Sequence, residues 1–180
     1  KARYGAALAE RLAHDRAVRD TMREIERQSA AARPYINREQ TVVKTGSLAY
    51  VTVRDGFNRE HDPHLHTHVV VMNLTAYGDK IMALDGRQIM RYDFNKMWGA
   101  MYRAKLAANL KEAGHSVSYT KKGELRLDSV SLEVEREFSK RRAEIAAAKD
   151  RGLHDMAAWR ETRKEKEPQL AKAGVLEAWR

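Results

Sequence analysis

Apolar residues recur with helical spacing at the start of the chain and with alternating spacing in its middle. Across residues 2–31, five apolar side chains lie near one stripe of a helix: Leu8, Leu12, Val18, Met22 and Ile25. The pattern predicts a helix that packs by this stripe and breaks at Arg33-Pro34. His14 and Asp15 fall on the same helix, where we expect them to be solvated.

Short β-branched runs follow this helix. They predict strands at residues 41–44, 48–54 and 80–84, and a longer strand at residues 65–73 that is buried on at least one face. Only a short polar loop separates residues 48–54 from residues 65–73, which favours an antiparallel pair. In such a pair, Asp55 at the end of one strand lies beside His66 at the start of the next.

The second half of the chain alternates between helical and hairpin patterns. Asp93 is the expected N-cap of a helix over residues 94–113, and Ser131 is the expected N-cap of a helix over residues 132–151. Between them, residues 116–127 fit a hairpin, and residues 153–180 are helical and highly charged. The elements therefore predict an α+β fold, with a central antiparallel sheet flanked by long helices and a C-terminal helical extension.

Histidines are concentrated at the start of the longest predicted strand. Four of the seven in the chain fall within eight positions: His61, His64, His66 and His68. Because strand side chains alternate, His66 and His68 point to the same face, about 7 Å apart, where two imidazoles can hold one cation. A third ligand has to come from elsewhere, and Asp55 is the first candidate.

Composition narrows the functions that such a site could serve. The formal net charge is +9, which favours binding to a polyanion, with nucleic acid first. The chain has no cysteine, which excludes disulfides and cysteine-based zinc sites. It has no apolar run long enough to span a membrane, so we expect a cytoplasmic protein with no membrane partner.

A metal held by histidines can polarise a phosphoryl oxygen or activate water, and a basic protein brings a phosphodiester to such a site. The two properties together predict metal-assisted chemistry on a nucleic-acid backbone. The chain has neither a glycine-rich phosphate loop nor a His-Glu-x-x-His motif, so nucleotide hydrolysis and zinc-protease activity are not indicated.

The residues around the histidines are similar to a known metal-binding motif. Residues 55–59 read DGFNR and residues 62–73 read DPHLHTHVVVMN. The pattern resembles that of conjugative relaxases of the TrwC/TraI (MobF) type, within the HUH endonuclease superfamily. The helical segments HDRAV (14–18), YRAKLA (102–107) and FSKRRAEI (138–145) are also similar to that family, so the likeness covers about residues 10–150.

The resemblance implies a site- and strand-specific DNA nickase that acts on single-stranded DNA at a plasmid origin of transfer. In that family, three histidines hold a divalent cation on the scissile phosphate. His66 and His68 match two of them, and Asp55 occupies the place of the third, with His64 and His61 as alternatives. An aspartate oxygen is a hard ligand, which favours Mg²⁺ or Mn²⁺ and leaves Zn²⁺ possible. Arg59 matches the motif arginine, either as a DNA contact or in an ordinary loop salt bridge.

The match fails at the nucleophile. In the family, the tyrosines that attack DNA, and the acidic residue that activates them, precede the helix with which this chain opens. None of the seven tyrosines here matches their position, so we assign no catalytic residue. We expect residues 1–152 to be a partial relaxase domain without the nucleophile segment, inactive alone in covalent nicking, and residues 153–180 to be a charged helical extension. In full-length relatives a helicase follows, and accessory proteins of the transfer complex are expected partners.

Two other functions remain open. One is a relaxase-like module that has lost its third histidine and only binds single-stranded DNA, which metal titration would distinguish. The other is an unrelated metal hydrolase, which would turn over small esters or phosphodiesters without preferring DNA.

Overall fold

The computed structural model describes residues 2–58, 62–138 and 140–163. They form two compact units. The described part of the first unit comprises residues 2–53 and 67–129, and that of the second comprises residues 54–58, 62–66, 130–138 and 140–163. The division of the chain at residue 152 stays a prediction.

Two long helices dominate the first unit. Helix α1 spans Ala2–Ser29 and helix α2 spans Tyr92–Glu112. A buried hydrogen bond joins them, from the Asn109 side-chain amide to the Ala13 carbonyl at 3.0 Å. An exposed ion pair between Arg16 and Glu112 adds a second link, at 2.7 Å.

The described part of the chain contains ten strands, which pair in twos. The strands are β1 (Ala31–Ala32), β2 (Tyr35–Ile36), β3 (Glu39–Gln40), β4 (Val43–Lys44), β5 (Tyr50–Phe57), β6 (Pro63–Val71), β7 (Thr75–Tyr77), β8 (Lys80–Met82), β9 (Val117–Tyr119) and β10 (Leu125–Leu127). Within the described ranges, the pairs are β1–β4, β2–β3, β5–β6, β7–β8 and β9–β10. Helices and antiparallel strands together confirm the predicted α+β class.

The longest pair, β5–β6, is the antiparallel hairpin that the short polar loop predicted. Its open end is closed by a hydrogen bond from Met72 N to the Ala49 carbonyl, at 2.9 Å. At the loop end, Asn58 N donates to the Asp62 carbonyl at 3.0 Å.

The core of the first unit lies among α1, α2 and this hairpin. Its buried cluster consists of Met22, Ile25, Ala30, Leu48 and Trp98, and the partly buried Val69 and Val71 of β6 pack against it. The Glu26 carboxylate accepts a hydrogen bond from Leu48 N at 2.8 Å, which fixes the approach to β5 against α1.

In the second unit, the predicted helix over residues 132–151 is divided in two. Helix α3 spans Leu132–Glu137 and helix α4 spans Lys140–Asp150. Ser131 is confirmed as the cap of α3, because its hydroxyl accepts from Val134 N at 3.3 Å. Helix α5 covers Asp155–Glu161, and the rest of the predicted extension, residues 164–180, lies outside the described residues.

One predicted cap is wrong. Asp93 lies in the first turn of α2, and the N-cap position is occupied by Arg91, whose side chain makes no capping hydrogen bond. An aspartate in the first turn is still favourable, because its charge complements the positive end of the helix dipole.

Across the described ranges, no helix combines the length and apolar character needed to cross a bilayer.

Candidate metal centre and DNA contact

Strand β6 has two chemically different faces. Val69 and Val71 pack against the core, and the Thr67 hydroxyl makes a hydrogen bond to His14 of helix α1. Because side chains alternate along a strand, His66 and His68 lie on the opposite face, together with Val70. His68 and Val70 are exposed there, so this outward face is open to a ligand.

The imidazole of His66 is oriented by its own strand. Its Nδ1 atom lies 2.8 Å from the backbone carbonyl oxygen of His64. Metal-binding histidines commonly make such a hydrogen bond with one ring nitrogen while the other nitrogen binds the metal. The rings of His64 and His66 are 5.1 Å apart between centroids. Partial burial, and then the charge of His66, lower the pKa of His64, which favours the neutral form that binds metals.

His64 stays a candidate for the third ligand. Because β6 begins at Pro63, the strand extends back past His64 and places it on the same face as His66. The sequence left this point open, since the extent of the strand could not be read from its composition.

Asp55 lies inside β5, whereas the sequence placed it just after a strand. Its Oδ1 atom accepts a hydrogen bond from Gly56 N at 2.8 Å. Over residues 2–58, 62–138 and 140–163, no three His, Cys, Asp or Glu side chains come together as a metal-binding group. His66, His68 and Asp55 therefore remain a predicted ligand set, and His61 and Arg59 lie outside the described residues.

Asn58 and Asp62, which flank residues 59–61 in the sequence, are linked to each other within the second unit. Asn58 and Asp62 exchange two hydrogen bonds of 3.0 Å, one through the Asn58 side chain and one between backbone atoms. The buried Asp62 carboxylate also forms an ion pair with Lys140 of α4, 2.9 Å from its Nζ atom. This ion pair joins Asp62 to helix α4.

His14 shows the largest departure from expectation. We expected a solvated side chain, but His14 is only 5% exposed. Its Nδ1 lies 2.7 Å from the Tyr102 hydroxyl and its Nε2 lies 2.8 Å from Thr67 Oγ1. The prediction was wrong because the large apolar residues Leu8 and Leu12 were taken to mark the buried stripe.

Around His14, the buried side of α1 is marked by small residues, whereas Met22 and Ile25 of the predicted stripe are buried further along the helix. Ala13, Ala17 and Thr21 recur at four-residue spacing and are all buried, whereas Leu8 and Leu12 are 49% and 57% exposed. His14 directly follows Ala13 and lies one helical turn before Ala17. This position beside the row of small residues was the signal that could have placed His14 in the interior.

Comparison with known proteins gives a consistent assignment. A family model described as TrwC relaxase matches residues 6–180. The multifunctional conjugation protein TraI of Escherichia coli is 29% identical over 166 residues, which are 86% of this chain and 9% of that protein.

Solved structures extend the likeness to the fold. A metal-bound conjugative relaxase TrwC in complex with oriT DNA is 31% identical, with a TM-score of 0.85 over 96% of this chain and 62% of that chain. TrwC complexed with a 27-mer DNA comprising the recognition hairpin and the cleavage site is 32% identical, with a TM-score of 0.83 over 94% of this chain and 62% of that chain.

The α+β fold of this chain is thus similar to that of the DNA-bound conjugative relaxase TrwC. The chain belongs to the TrwC relaxase family, as the family match over residues 6–180 shows. It spans 62% of the solved TrwC chain and 9% of the curated TraI protein.

Proposed function

We propose that this chain is the metal- and DNA-binding part of a conjugative relaxase, which binds single-stranded DNA at a plasmid origin of transfer. Membership of the TrwC relaxase family supports this, as do the two similar TrwC structures that contain oriT or hairpin DNA. The formal net charge of +9 supplies the attraction for a phosphate backbone.

The observation that carries the proposal is the division of β6 into a packed face and an open histidine face. His66 and His68 are the imidazole ligands in this proposal, and Asp55 completes the set, with His64 as the alternative. The local fit is good for the two imidazoles, because the His66 ring is oriented by the His64 carbonyl. The similar TrwC structures include metal-bound forms, which supports a divalent cation here.

The donor set favours Mg²⁺ or Mn²⁺ when Asp55 takes part and Zn²⁺ when a third histidine does. Once bound, a divalent cation would withdraw charge from a phosphoryl oxygen. The protein's own residues would hold the imidazoles outward, and Arg59, carried by the loop between Asn58 and Asp62, would contact the DNA. In the complete protein, a helicase and accessory transfer proteins would act with this domain.

We also propose that the 180 residues alone bind DNA without nicking it covalently. None of the seven tyrosines matches the family's nucleophile position. Tyr102 is partly buried, and its hydroxyl makes a hydrogen bond with His14. It therefore lies away from the outward face of β6.

The test is to measure binding of a single-stranded origin oligonucleotide by fluorescence anisotropy over a range of salt concentrations. Affinity should fall by orders of magnitude between about 50 and 200 mM salt, because bound phosphates release counterions. A flat salt response would contradict a phosphate-binding surface. Denaturing electrophoresis of the same mixture should show no protein–DNA adduct, and a tyrosyl adduct would overturn the claim that these residues do not nick.

A second function is a relaxase-like module that binds single-stranded DNA without metal. The place of the third histidine is taken by Asp55, and no complete ligand group is present among the described residues, which favours this alternative. Calorimetry with Mn²⁺ separates the two functions. The metal-dependent function requires binding that His66→Ala weakens, whereas no binding, or binding unaffected by His66→Ala, supports the module.

A further inference from the structure

Three elements of the first unit meet at one buried imidazole. His14 of α1 contacts the Tyr102 hydroxyl of α2 at 2.7 Å and Thr67 Oγ1 of β6 at 2.8 Å. The rings of His14 and Tyr102 meet edge to face, with centroids 5.8 Å apart. These partners are 88 and 53 residues away in sequence, so the contacts form only when the unit is folded.

The chemistry of the three groups fits a neutral imidazole. A neutral imidazole has one N–H donor and one acceptor nitrogen, and each hydroxyl can take the matching role. Burial raises the pKa of the Tyr102 hydroxyl, which favours its protonated form, and a protonated hydroxyl can donate to Nδ1 or accept from an Nδ1–H group. In either tautomer one ring nitrogen of His14 donates and the other accepts, so the imidazole bridges the Tyr102 hydroxyl of α2 and the Thr67 hydroxyl of β6.

Thr67 is the residue between His66 and His68. Its side chain points inward, so the two imidazoles that flank it must point outward. A slip of β6 by one residue would exchange the two faces of the strand. Such a slip would put His66 or His68 opposite His14 in place of Thr67 and would leave the buried His14 imidazole without this hydroxyl partner, at a cost in free energy.

The rest of the inward face cannot fix the strand as firmly. Val69 and Val71 pack against the core without direction, because apolar contacts tolerate small rotations and shifts. Within the inward-facing trio of Thr67, Val69 and Val71, only the threonine makes a directional side-chain bond.

We propose that His14 is a positioning residue for the metal site: it holds Thr67 and thereby fixes the outward direction of His66 and His68. The proposal rests on the proposed function for what the two imidazoles bind. The geometric part, that His14 sets the orientation of the flanking histidines through Thr67, is independent of any metal.

The first measurement is Mn²⁺ affinity by calorimetry in three threonine variants. Thr67→Val removes the hydroxyl with little change of shape, and affinity should fall about 10–100-fold, as is typical when a partner behind a ligand is lost. Thr67→Ser keeps the hydroxyl and should stay near the wild-type affinity. Thr21→Val is the matched control, because Thr21 is buried and its hydroxyl bonds the Ala17 carbonyl of its own helix at 2.7 Å.

The second measurement needs no metal. In ¹⁵N–¹H correlation spectra of the metal-free protein, Thr67→Val and His14→Ala should both shift the imidazole and amide resonances of His66 and His68. Thr21→Val should leave them in place. Wild-type protein that binds no Mn²⁺ would contradict the metal function, and these spectra would then decide the positioning role alone.

The proposal is overturned if Thr67→Val leaves the histidine resonances and any Mn²⁺ affinity unchanged. It is also overturned if Thr21→Val changes them equally, because the effect would then be general loosening of the fold. If Thr67→Val does not fold, Thr67→Ser and His14→Ala decide: the serine variant must resemble wild type, and the alanine variant must shift both histidines.

Discussion

The inward and outward faces of β6 carry similar residues but have different roles. Val71 faces inward and packs against the buried cluster, while its neighbour Val70 faces outward and is 54% exposed. Thr67 faces inward with a hydroxyl bonded to His14, whereas His66 and His68 flank it on the outward face. The same strand therefore supplies stability on one side and ligands on the other.

The outward face is also apolar beyond the histidines. Tyr50 packs towards the core, so Val51 and Val53 of β5 lie on the face shared with Val70 of β6 and with Met72, which follows the strand. All four side chains are at least 40% exposed. Amino-acid type alone therefore does not identify the buried face. The difference lies in the partners: α1 and α2 supply packing and a hydrogen bond to one face only.

The largest expected effect is on stability, and it should differ between adjacent valines. Val71→Asp would place an uncompensated charge against the core and should lower the free energy of unfolding by roughly 2–4 kcal/mol. Val70→Asp, on the open face, should change it by less than about 0.5 kcal/mol. Urea denaturation followed by tryptophan fluorescence measures both. Equal destabilisation by the two substitutions would contradict the assignment of the faces.

For metal binding we expect the outward face to matter more than the inward face, the reverse of the pattern for stability. The double substitution of His66→Ala and His68→Ala should lower Mn²⁺ affinity by more than about 100-fold, a larger loss than removal of an outer partner gives. The free energy of unfolding should stay within about 0.5 kcal/mol of wild type. His154→Ala is the matched control, because His154 is an exposed histidine whose side chain makes no capping hydrogen bond. An unchanged affinity in the double variant would remove the outward face as the metal site.

The interior does accept a charge where a partner is present. Asp85 is 2% exposed, and its carboxylate pairs with Arg87 at 3.0 Å and with Arg33 at 3.5 Å. The hydrogen bond from Arg87 lowers the pKa of Asp85 below its ordinary value, and burial opposes this shift. Asp85→Asn should therefore cost about 1.5–3 kcal/mol at pH 7, the usual worth of hydrogen bonds to a charged group.

The sign of the pH dependence follows from the lowered pKa. The stabilising contribution of Asp85 is complete above the ordinary aspartate pKa and is lost as pH falls through the lower value in the folded protein. The difference in unfolding free energy between wild type and Asp85→Asn should thus shrink as the pH is lowered from 7 to 3. A difference that stays constant with pH would show that the carboxylate charge is not what stabilises the fold.

The smallest effect concerns the third ligand. Asp55→Ala should lower Mn²⁺ affinity by about tenfold, and Asp55→His should shift preference from Mn²⁺ towards Zn²⁺, because imidazole suits zinc better than a hard oxygen does. Competition titrations with the two ions measure this. If Asp55→Ala has no effect and His64→Ala does, His64 is the third ligand.

Much of this organisation could be predicted from the sequence. The long helices, the β5–β6 hairpin and the cap at Ser131 follow from periodicity and local side-chain chemistry, and the structure contains them. The motif at residues 62–73 also pointed to the family, which the family match confirms. These features depend on neighbours close in sequence.

Features that depend on distant partners could not be predicted in the same way. The buried state of His14 is due to Tyr102 and Thr67, which local patterns do not bring together. Similarly, no local pattern assigned the ion pair between Lys140 and Asp62. The third metal ligand stays a prediction for the same reason, because its choice depends on long-range geometry around His66 and His68.

Paramagnetic broadening of oligonucleotide phosphate resonances tests the proposed metal site most directly. A single-stranded origin oligonucleotide bound to the protein is titrated with Mn²⁺ and observed by ³¹P NMR. If the outward face of β6 holds the cation, a few phosphate resonances should broaden selectively in wild type, and the effect should disappear when His66→Ala and His68→Ala are combined. Equal broadening in the double variant, with the DNA still bound, would contradict a cation held by the outward face of β6 against a phosphodiester.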